Sequence, residues 1–258
     1  MIKGNMKRHR EYWESVRDYD KEVFSVYKAL RSNPVKAALK NRPKKYKVAY
    51  LGVGSGFMLP FLSRKFSKVY AVDFSKTLLD RCKSEFVKFE NIEYINADFR
   101  DLRKIKEKVD IVISVNSILP PSIKDKMKIL KQISKMTKRN GLFIGILPSA
   151  DVVIYRVMLE IDNLIRKGYS EKRALKKWEE FLDRKSFSPL GFHTDDYDSI
   201  TQKYWYPFEI RFRLKDAGFK SIKIGKAYYK WSYCKDNCYG YFPGKEGSWD
   251  WFVTARKK

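Results

Sequence analysis

The stretch Val48-Ala49-Tyr50-Leu51-Gly52-Val53-Gly54-Ser55-Gly56 decides how the rest of the chain is read. Four apolar residues in a row, closed at once by glycine, predict a short buried parallel strand rather than an amphipathic one. The three glycines let the backbone turn tightly and approach a ligand. The helix expected after them offers free N–H groups at its start. Their spacing is G-x-G-x-G, not the G-x-G-x-x-G dinucleotide fingerprint. Twenty-one residues after Gly52, Asp73 ends a second apolar run, Lys68 to Asp73, where a carboxylate can accept both hydroxyls of a ribose. With Asp98 after a third strand, the glycine loop and Asp73 mark a nucleoside site.

Strand and helix signals alternate outward from this loop. Residues 57–66 read as a helix, and Ser75 caps another running to about Phe89. Residues 92–95 and 110–115 read as strands. Pro121-Ser122 opens a helix with Asp125 at the capping-box position, Asn140-Gly141 closes it, and 142–147 form a further strand. Such alternation predicts an α/β fold, a doubly wound, mainly parallel sheet with right-handed crossovers. Upstream, Tyr12, Val16, Tyr19, Val23, Val26, Tyr27 and Leu30 recur at helical steps from Glu11 to about Leu30, and Asn33-Pro34 starts a second helix. Residues 151–203 break the alternation, with helices over 152–165 and 170–182 separated by Gly168. A polar loop carrying His193, Asp195, Asp196 and Asp198 follows them. A helix from Pro207 to Ala217-Gly218 and strands over 219–229 and 249–255 close the chain. The organisation expected is a helical cap (1–45), a cofactor-binding core (46–150), a helical insertion (151–203) and a C-terminal part completing the sheet (204–258).

Composition narrows the class. Seventeen Tyr, 17 Phe and 6 Trp in 258 residues exclude a disordered chain. Three cysteines exclude a disulfide scaffold and point to a reducing compartment. No apolar run approaches the roughly 20 residues that span a bilayer, and the first residues lack the apolar stretch of a secretory leader. A soluble, cytoplasmic protein with no membrane partner is expected. The net charge is +25. Residues 1–47 hold 14 basic against 5 acidic side chains, whereas 151–203 are balanced. A basic surface attracts polyanions, yet lysines also simply decorate solvated helix faces, and both readings stay open.

With these residues in view, the chain resembles a class I, Rossmann-like S-adenosylmethionine-dependent methyltransferase over about residues 46–148 and again over 205–258. The likeness rests on Leu51-Gly52-Val53-Gly54-Ser55-Gly56, Val72-Asp73-Phe74-Ser75, Asn96-Ala97-Asp98-Phe99, Ser114-Val115-Asn116-Ser117 and Asp216-Ala217-Gly218-Phe219. It implies a seven-stranded sheet whose last strand is antiparallel, and S-adenosylmethionine as cofactor. It also implies roles by position. Gly52, Val53, Gly54, Ser55 and Gly56 form the loop facing the methionine part, Asp73 holds the ribose, and Phe74 packs beside the adenine. Asp98, with Phe99 adjoining, accepts from the adenine amino group, and Asn116 lies near the sulfonium and the substrate entrance. One departure stands out: Tyr50 occupies the place where the family usually has an acid.

Methyl transfer from a sulfonium is an in-line displacement with an already activated donor, so positioning and water exclusion carry much of the task and a base is optional. His193, which could deprotonate a hydroxyl, and Tyr19 are the catalytic candidates; His9 is a lesser one. The prolines at 120 and 121 stand four and five positions after Asn116, so the Asn/Asp-Pro-Pro-aromatic motif of amino-methylating nucleic-acid enzymes is absent. Tyr12, Trp13 and Tyr19 form either a lid over the cofactor or ordinary core. The aromatic stretch of Tyr228, Tyr229, Trp231, Tyr233, Tyr239, Tyr241, Phe242 and Trp249 suits a substrate pocket, base stacking or a sealed hairpin. Cys234 and Cys238 lack the second pair of a zinc site, and no metal is expected. The function expected is methyl transfer to a small-molecule acceptor. The alternatives are an RNA methyltransferase docked by its basic termini, and a non-catalytic nucleic-acid-binding protein with a degenerate cofactor site.

Overall fold

The computed structural model describes residues 6–16, 25–185, 187–194, 200–233, 242 and 244–258. The apolar runs form β1 (Lys47–Leu51), β2 (Lys68–Asp73), β3 (Ile92–Asn96), β4 (Val109–Val115) and β5 (Thr137–Leu147), followed by β8 (Phe219–Tyr228) and β9 (Trp249–Lys257). They build one seven-stranded sheet in the order β3-β2-β1-β4-β5-β9-β8. The first five are parallel, and β9 runs antiparallel to both of its neighbours. The antiparallel last strand expected from the resemblance is therefore present. The chain steps outward from β1 to β3, then returns to place β4 on the other side of β1. The carboxyl ends of β1 and β4 form the switch point at which open α/β sheets bind ligands.

Alternate residues of each strand enter opposite cores, as a period of two requires. Val48, Tyr50, Ile111 and Ile113 face one side, where α2 (Val26–Ala29), α3 (Pro34–Leu39), α4 (Leu59–Lys65) and α5 (Lys76–Glu85) cover the sheet. Ala49, Leu51 and Val112 face the other, against α6 (Ile123–Met136), α7 (Ala150–Arg166) and α9 (Pro207–Asp216). The expected caps form: Asn33, Ser75 and Ser122 each accept a backbone N–H three residues on. The remaining elements are α1 (Met6–Ser15), α8 (Glu171–Lys185), and a small antiparallel pair, β6 (Phe192–Thr194) with β7 (Thr201–Lys203). No helix among the described residues is long and apolar enough to cross a membrane.

Four details differ from the sequence expectation. The helix read over 11–30 is broken, with Val16 outside α1 and Ser25 extended ahead of α2. Val16 and Ser25, β-branched and a residue that competes for backbone hydrogen bonds, are both weak helix formers. Helix α5 stops at Glu85 instead of near Phe89. Helix α6 stops at Met136 rather than at Asn140-Gly141, because Thr137 turns extended and its hydroxyl satisfies the Ile133 carbonyl at 2.6 Å. Asn140, at φ +58°, instead sits in a bulge of β5, where Val109 pairs with Thr137 and Ile111 with Leu142. His193 belongs to the β6–β7 pair rather than to a loop, so the insertion is not purely helical.

An unusual polar knot seats that pair. Lys126 of α6 and Lys203 of β7 are almost wholly buried and share the carboxylate of Glu209 on α9, Lys203 at 2.7 Å. Phe192, Trp205 and Tyr206 present ring faces to one or both ammonium groups. Burial pulls Lys126 down from the ordinary lysine range and Lys203 down to about 8. Glu209→Gln leaves two buried cations without a counter-charge, a change that costs about 3–5 kcal/mol. Urea unfolding at pH 7 should show a loss of that order. The deficit should shrink as pH rises through about 8, where Lys203 loses its charge in the folded state.

Candidate functional site

The loop after β1 and the end of β4 are built for close approach. Gly52 has φ +75°, and a Cβ there would stand 2.2 Å from the Ser117 Cβ. Ser117 donates to the Leu51 carbonyl at 2.8 Å and pairs with the Ser114 hydroxyl at 2.7 Å, tying the two strand ends across the switch point. Gly56 packs where a Cβ would meet Phe86 and Cys82, and the Cys82 thiol donates to the Gly54 carbonyl at 3.4 Å. Val53 is core.

Asp73 is the electrostatic centre of this end of the sheet. It is buried, and its carboxylate accepts from the Gly54 N–H at 3.3 Å and the Ser75 N–H at 3.0 Å. Burial pushes its pKa up to about 6, against the lowering effect of those N–H donors. Asn96 ends β3 and donates to the Asp73 and Phe74 carbonyls, at 3.2 and 2.7 Å, which fixes the turn after β2. Asp98 lies one pocket over, beside Phe74, Asn96 and Ala97, and is gripped in a two-pronged pair by Arg100. Arg100 also reaches Asp125 at 3.4 Å.

A narrow cleft at the switch point gathers most of the sequence-predicted residues. Gly52, Gly54, Asp73, Phe74, Phe99 and Asn116 line it, together with Leu78, Ser117, Leu119 and Trp13 of α1. Among the N-terminal aromatics, Trp13 lines the cleft, with Tyr12 edge-on to it at 5.2 Å. Val53, Ser55 and Gly56 shape the loop without lining the cleft, and Asp98 lines the neighbouring pocket. His193 is not brought to the cleft; it packs against Phe187 and Tyr204. Tyr19, Asp195, Asp196, Asp198, Cys234, Cys238, Tyr239 and Tyr241 lie outside the described residues, as does the side chain of His9. Tyr50 is core, its hydroxyl 3.3 Å from that of Tyr27. In the aromatic stretch, Tyr229 and Trp249 are core, while Trp231 packs edge-on to Phe242.

One constellation escaped the sequence reading. Asn116, at φ +44°, donates its side-chain N–H to Asp250 at 2.8 Å across 134 residues of chain. Asp250 is buried at the start of β9 and also accepts from the Tyr229 hydroxyl and from the Ser149 N–H at 3.1 Å. Burial lifts its pKa to about 6. The Asn116 Oδ1 is buried without a hydrogen-bond partner, a state that costs about 1–3 kcal/mol and asks for a donor from outside the protein. The signal was an acid inside Trp249-Asp250-Trp251-Phe252-Val253, where a lone charge on a buried strand must have partners.

Residues 48–141 match the model of a family described as a methyltransferase domain. Three solved structures share the architecture. One is the N-methyltransferase NodS from Bradyrhizobium japonicum WM9 with S-adenosyl-L-homocysteine (8% identity, 98% of each chain, TM-score 0.58). Another is magnesium protoporphyrin IX methyltransferase from Synechocystis PCC 6803 with bound S-adenosylmethionine (14% identity, 99% of this chain and 93% of that one, TM-score 0.54). The third is a chain of the Haloferax volcanii complex formed by the Trm112 methyltransferase activator (16% identity, 86% and 88% covered, TM-score 0.57). No curated protein matches the chain in sequence. The chain therefore has the class I, Rossmann-like methyltransferase fold, and residues 48–141 are the part similar to the methyltransferase-domain model.

The clash at Gly52 makes a direct prediction. Gly52→Ala should lower the thermal midpoint by several degrees, since it combines left-handed strain with the Ser117 contact. Adding Ser117→Gly should recover only the part due to contact, a difference that calorimetry of the single and double variants resolves.

Proposed function

We propose that the protein transfers the methyl group of S-adenosylmethionine to a small-molecule acceptor. The observation that carries this reading is the convergence of Gly52 and Gly54, buried Asp73 and Asn116 on one cleft that Trp13 also lines. The residues present suit the cofactor: Gly52 and Gly54 leave room for its methionyl part, Asp73 offers a carboxylate to the ribose hydroxyls, and Phe74 and Phe99 flank the base. Asp98 would serve the adenine amino group while held by Arg100. When bound, the cofactor supplies an electrophilic methyl on a sulfonium; the chain's part is to orient the acceptor and keep water away. A narrow cleft favours a small acceptor over a polymer.

A second reading, methylation of RNA, draws on one observation. Lys36, Phe57, Phe61, Arg64 and Lys65 form an open basic and aromatic face in which Phe57 directly follows Gly56 and Lys36 lies over both phenyl rings. Such a face suits phosphates and stacked bases.

Labelled S-adenosylmethionine, incubated with the protein and a cell extract that is then fractionated, separates the two. Label is expected in the small-molecule fraction; label in RNA would favour the second reading. Asp73 supplies an independent check on the cofactor. A ribose hydroxyl donates best to an ionised carboxylate, so cofactor affinity should fall by up to about tenfold per pH unit below pH 6. Asp73→Asn should bind weakly at every pH and lose this dependence, and Asp73→Ala should abolish binding while far-UV circular dichroism stays unchanged. Unaltered binding in either variant, measured by calorimetric titration, would remove Asp73 from the site.

A further inference from the structure

We infer that α3, α4 and the turn leading into β1 form a docking surface for single-stranded RNA, whose phosphates meet the cations there and whose bases stack on Phe57 and Phe61. The inference concerns binding alone, and it holds whether or not RNA receives the methyl group.

The sequence sets up a field of one sign. Residues 23–72 contain 11 Lys and Arg and not one Asp or Glu. Thirty acids in 258 residues would place about six in a stretch of that length. Two of the cations find carboxylates supplied from later in the chain, Lys47 at Glu107 and Lys68 at Glu93. Lys36, Lys40, Arg42, Lys45, Arg64 and Lys65 have no such partner among the described residues. The fold then gathers them. The Lys65 ammonium donates to the Lys40 carbonyl at 2.8 Å, and the Ser67 hydroxyl, just after α4, donates to the Lys45 carbonyl at 2.9 Å. Lys36 of α3 stands over the rings of Phe57 and Phe61, at 5.6 and 5.3 Å. Like charges held side by side repel. A polyanion relieves that repulsion and releases its own counterions as it binds.

Charge alone does not choose among polyanions; the rings do. Phe57 is 44% exposed and stacks on Tyr27, with centroids 4.9 Å apart and planes 15° apart. A cation over a ring at the surface is a weak contact, whereas a charge-assisted bond to phosphate is a strong one. Lys36 therefore passes from the rings to a phosphate and leaves both phenyl groups to a base. Every base has a π-face, so such stacking is tolerant of sequence. A duplex offers phosphates but keeps its bases stacked on one another, and so meets only half of the face. Unpaired loops and ends are the usual targets on RNA. A membrane surface would need apolar groups turned outward. Here Leu59 and Leu62 of α4, and Phe66 just after it, are buried in the core.

The test is fluorescence anisotropy of the full chain, without cofactor, against a labelled oligouridylate of about 16 nucleotides. Binding is followed between about 50 and 200 mM salt. The triple variant Lys36→Glu, Arg64→Glu, Lys65→Glu is set against Lys215→Glu, Lys220→Glu, Lys223→Glu. The second makes the same change in net charge at exposed positions of α9 and of β8, the strand at the far edge of the sheet from β3. The first should weaken binding about tenfold or more and reduce the log–log salt slope by about two. The second, more than a screening length away, should change it by no more than about threefold. Phe57→Leu keeps the apolar bulk and removes the π-face; it should cost about fivefold or more with the salt slope unchanged. Circular dichroism and thermal midpoint should stay at wild-type values in all three, because the face shares no lining residue with the cleft. Equal losses in the two triple variants would reduce the effect to net charge and overturn the surface. Duplex RNA bound as tightly as the single strand, with Phe57→Leu silent, would overturn the stacking. Capture by vesicles of phosphatidylcholine and phosphatidylserine in place of RNA would give the face to a membrane instead. Wild-type protein that leaves the oligouridylate unbound at about 50 mM salt would end the proposal outright.

Discussion

The carboxylate of Asp73, taken out of water at the end of β2, constrains everything built around it. A buried acid with a raised pKa is tolerated only where donors surround it. Here the donors are backbone N–H groups of the glycine loop and of the turn into α5. The loop cannot move without stripping the acid of a partner, so one unfavourable burial fixes the relative positions of β1, β2 and the following helices. Ser117 and Asn96 extend the same logic on either side, by bonds to the Leu51 carbonyl and to the Asp73 and Phe74 carbonyls. Most of the cleft's walls lie at strand ends whose backbone groups are already engaged.

Much of this was legible in the sequence, for reasons that differ by element. The parallel strands announced themselves because burial on both faces demands unbroken apolar runs, and the caps at Asn33, Ser75 and Ser122 because a serine or asparagine before a helix has a definite task. Glycines at 52, 54 and 56 and the acid at 73 were readable as a set, since spacing along one βαβ unit carries the geometry. Where α6 ends was misread because Asn140-Gly141 looks like a helix stop but serves a bulge in β5. That is a matter of pairing with β4, not of local preference.

Asp250 was missed for a deeper reason. Its partners are Asn116, Ser149 and Tyr229, which no local pattern links to it. Only the sheet order, with β9 slotted between β5 and β8, brings them together. The buried pair of lysines around Glu209 belongs to the same category: each reads as an ordinary surface lysine until three separate elements converge.

The place of β9 in the sheet also governs when the site can exist. It is the seventh strand in chain order to be made for this sheet, yet it lies inside it. Strand β8, which precedes it, has no neighbour until it arrives. Pairing of this kind closes long stretches of chain and is slow to form. During synthesis the glycine loop and Asp73 can come together early, while Asn116 waits for an aspartate emerging 134 residues later. A ribosome-bound or prematurely ended chain that lacks β9 thus has the glycine loop and Asp73 but leaves Asn116 without its Asp250 partner.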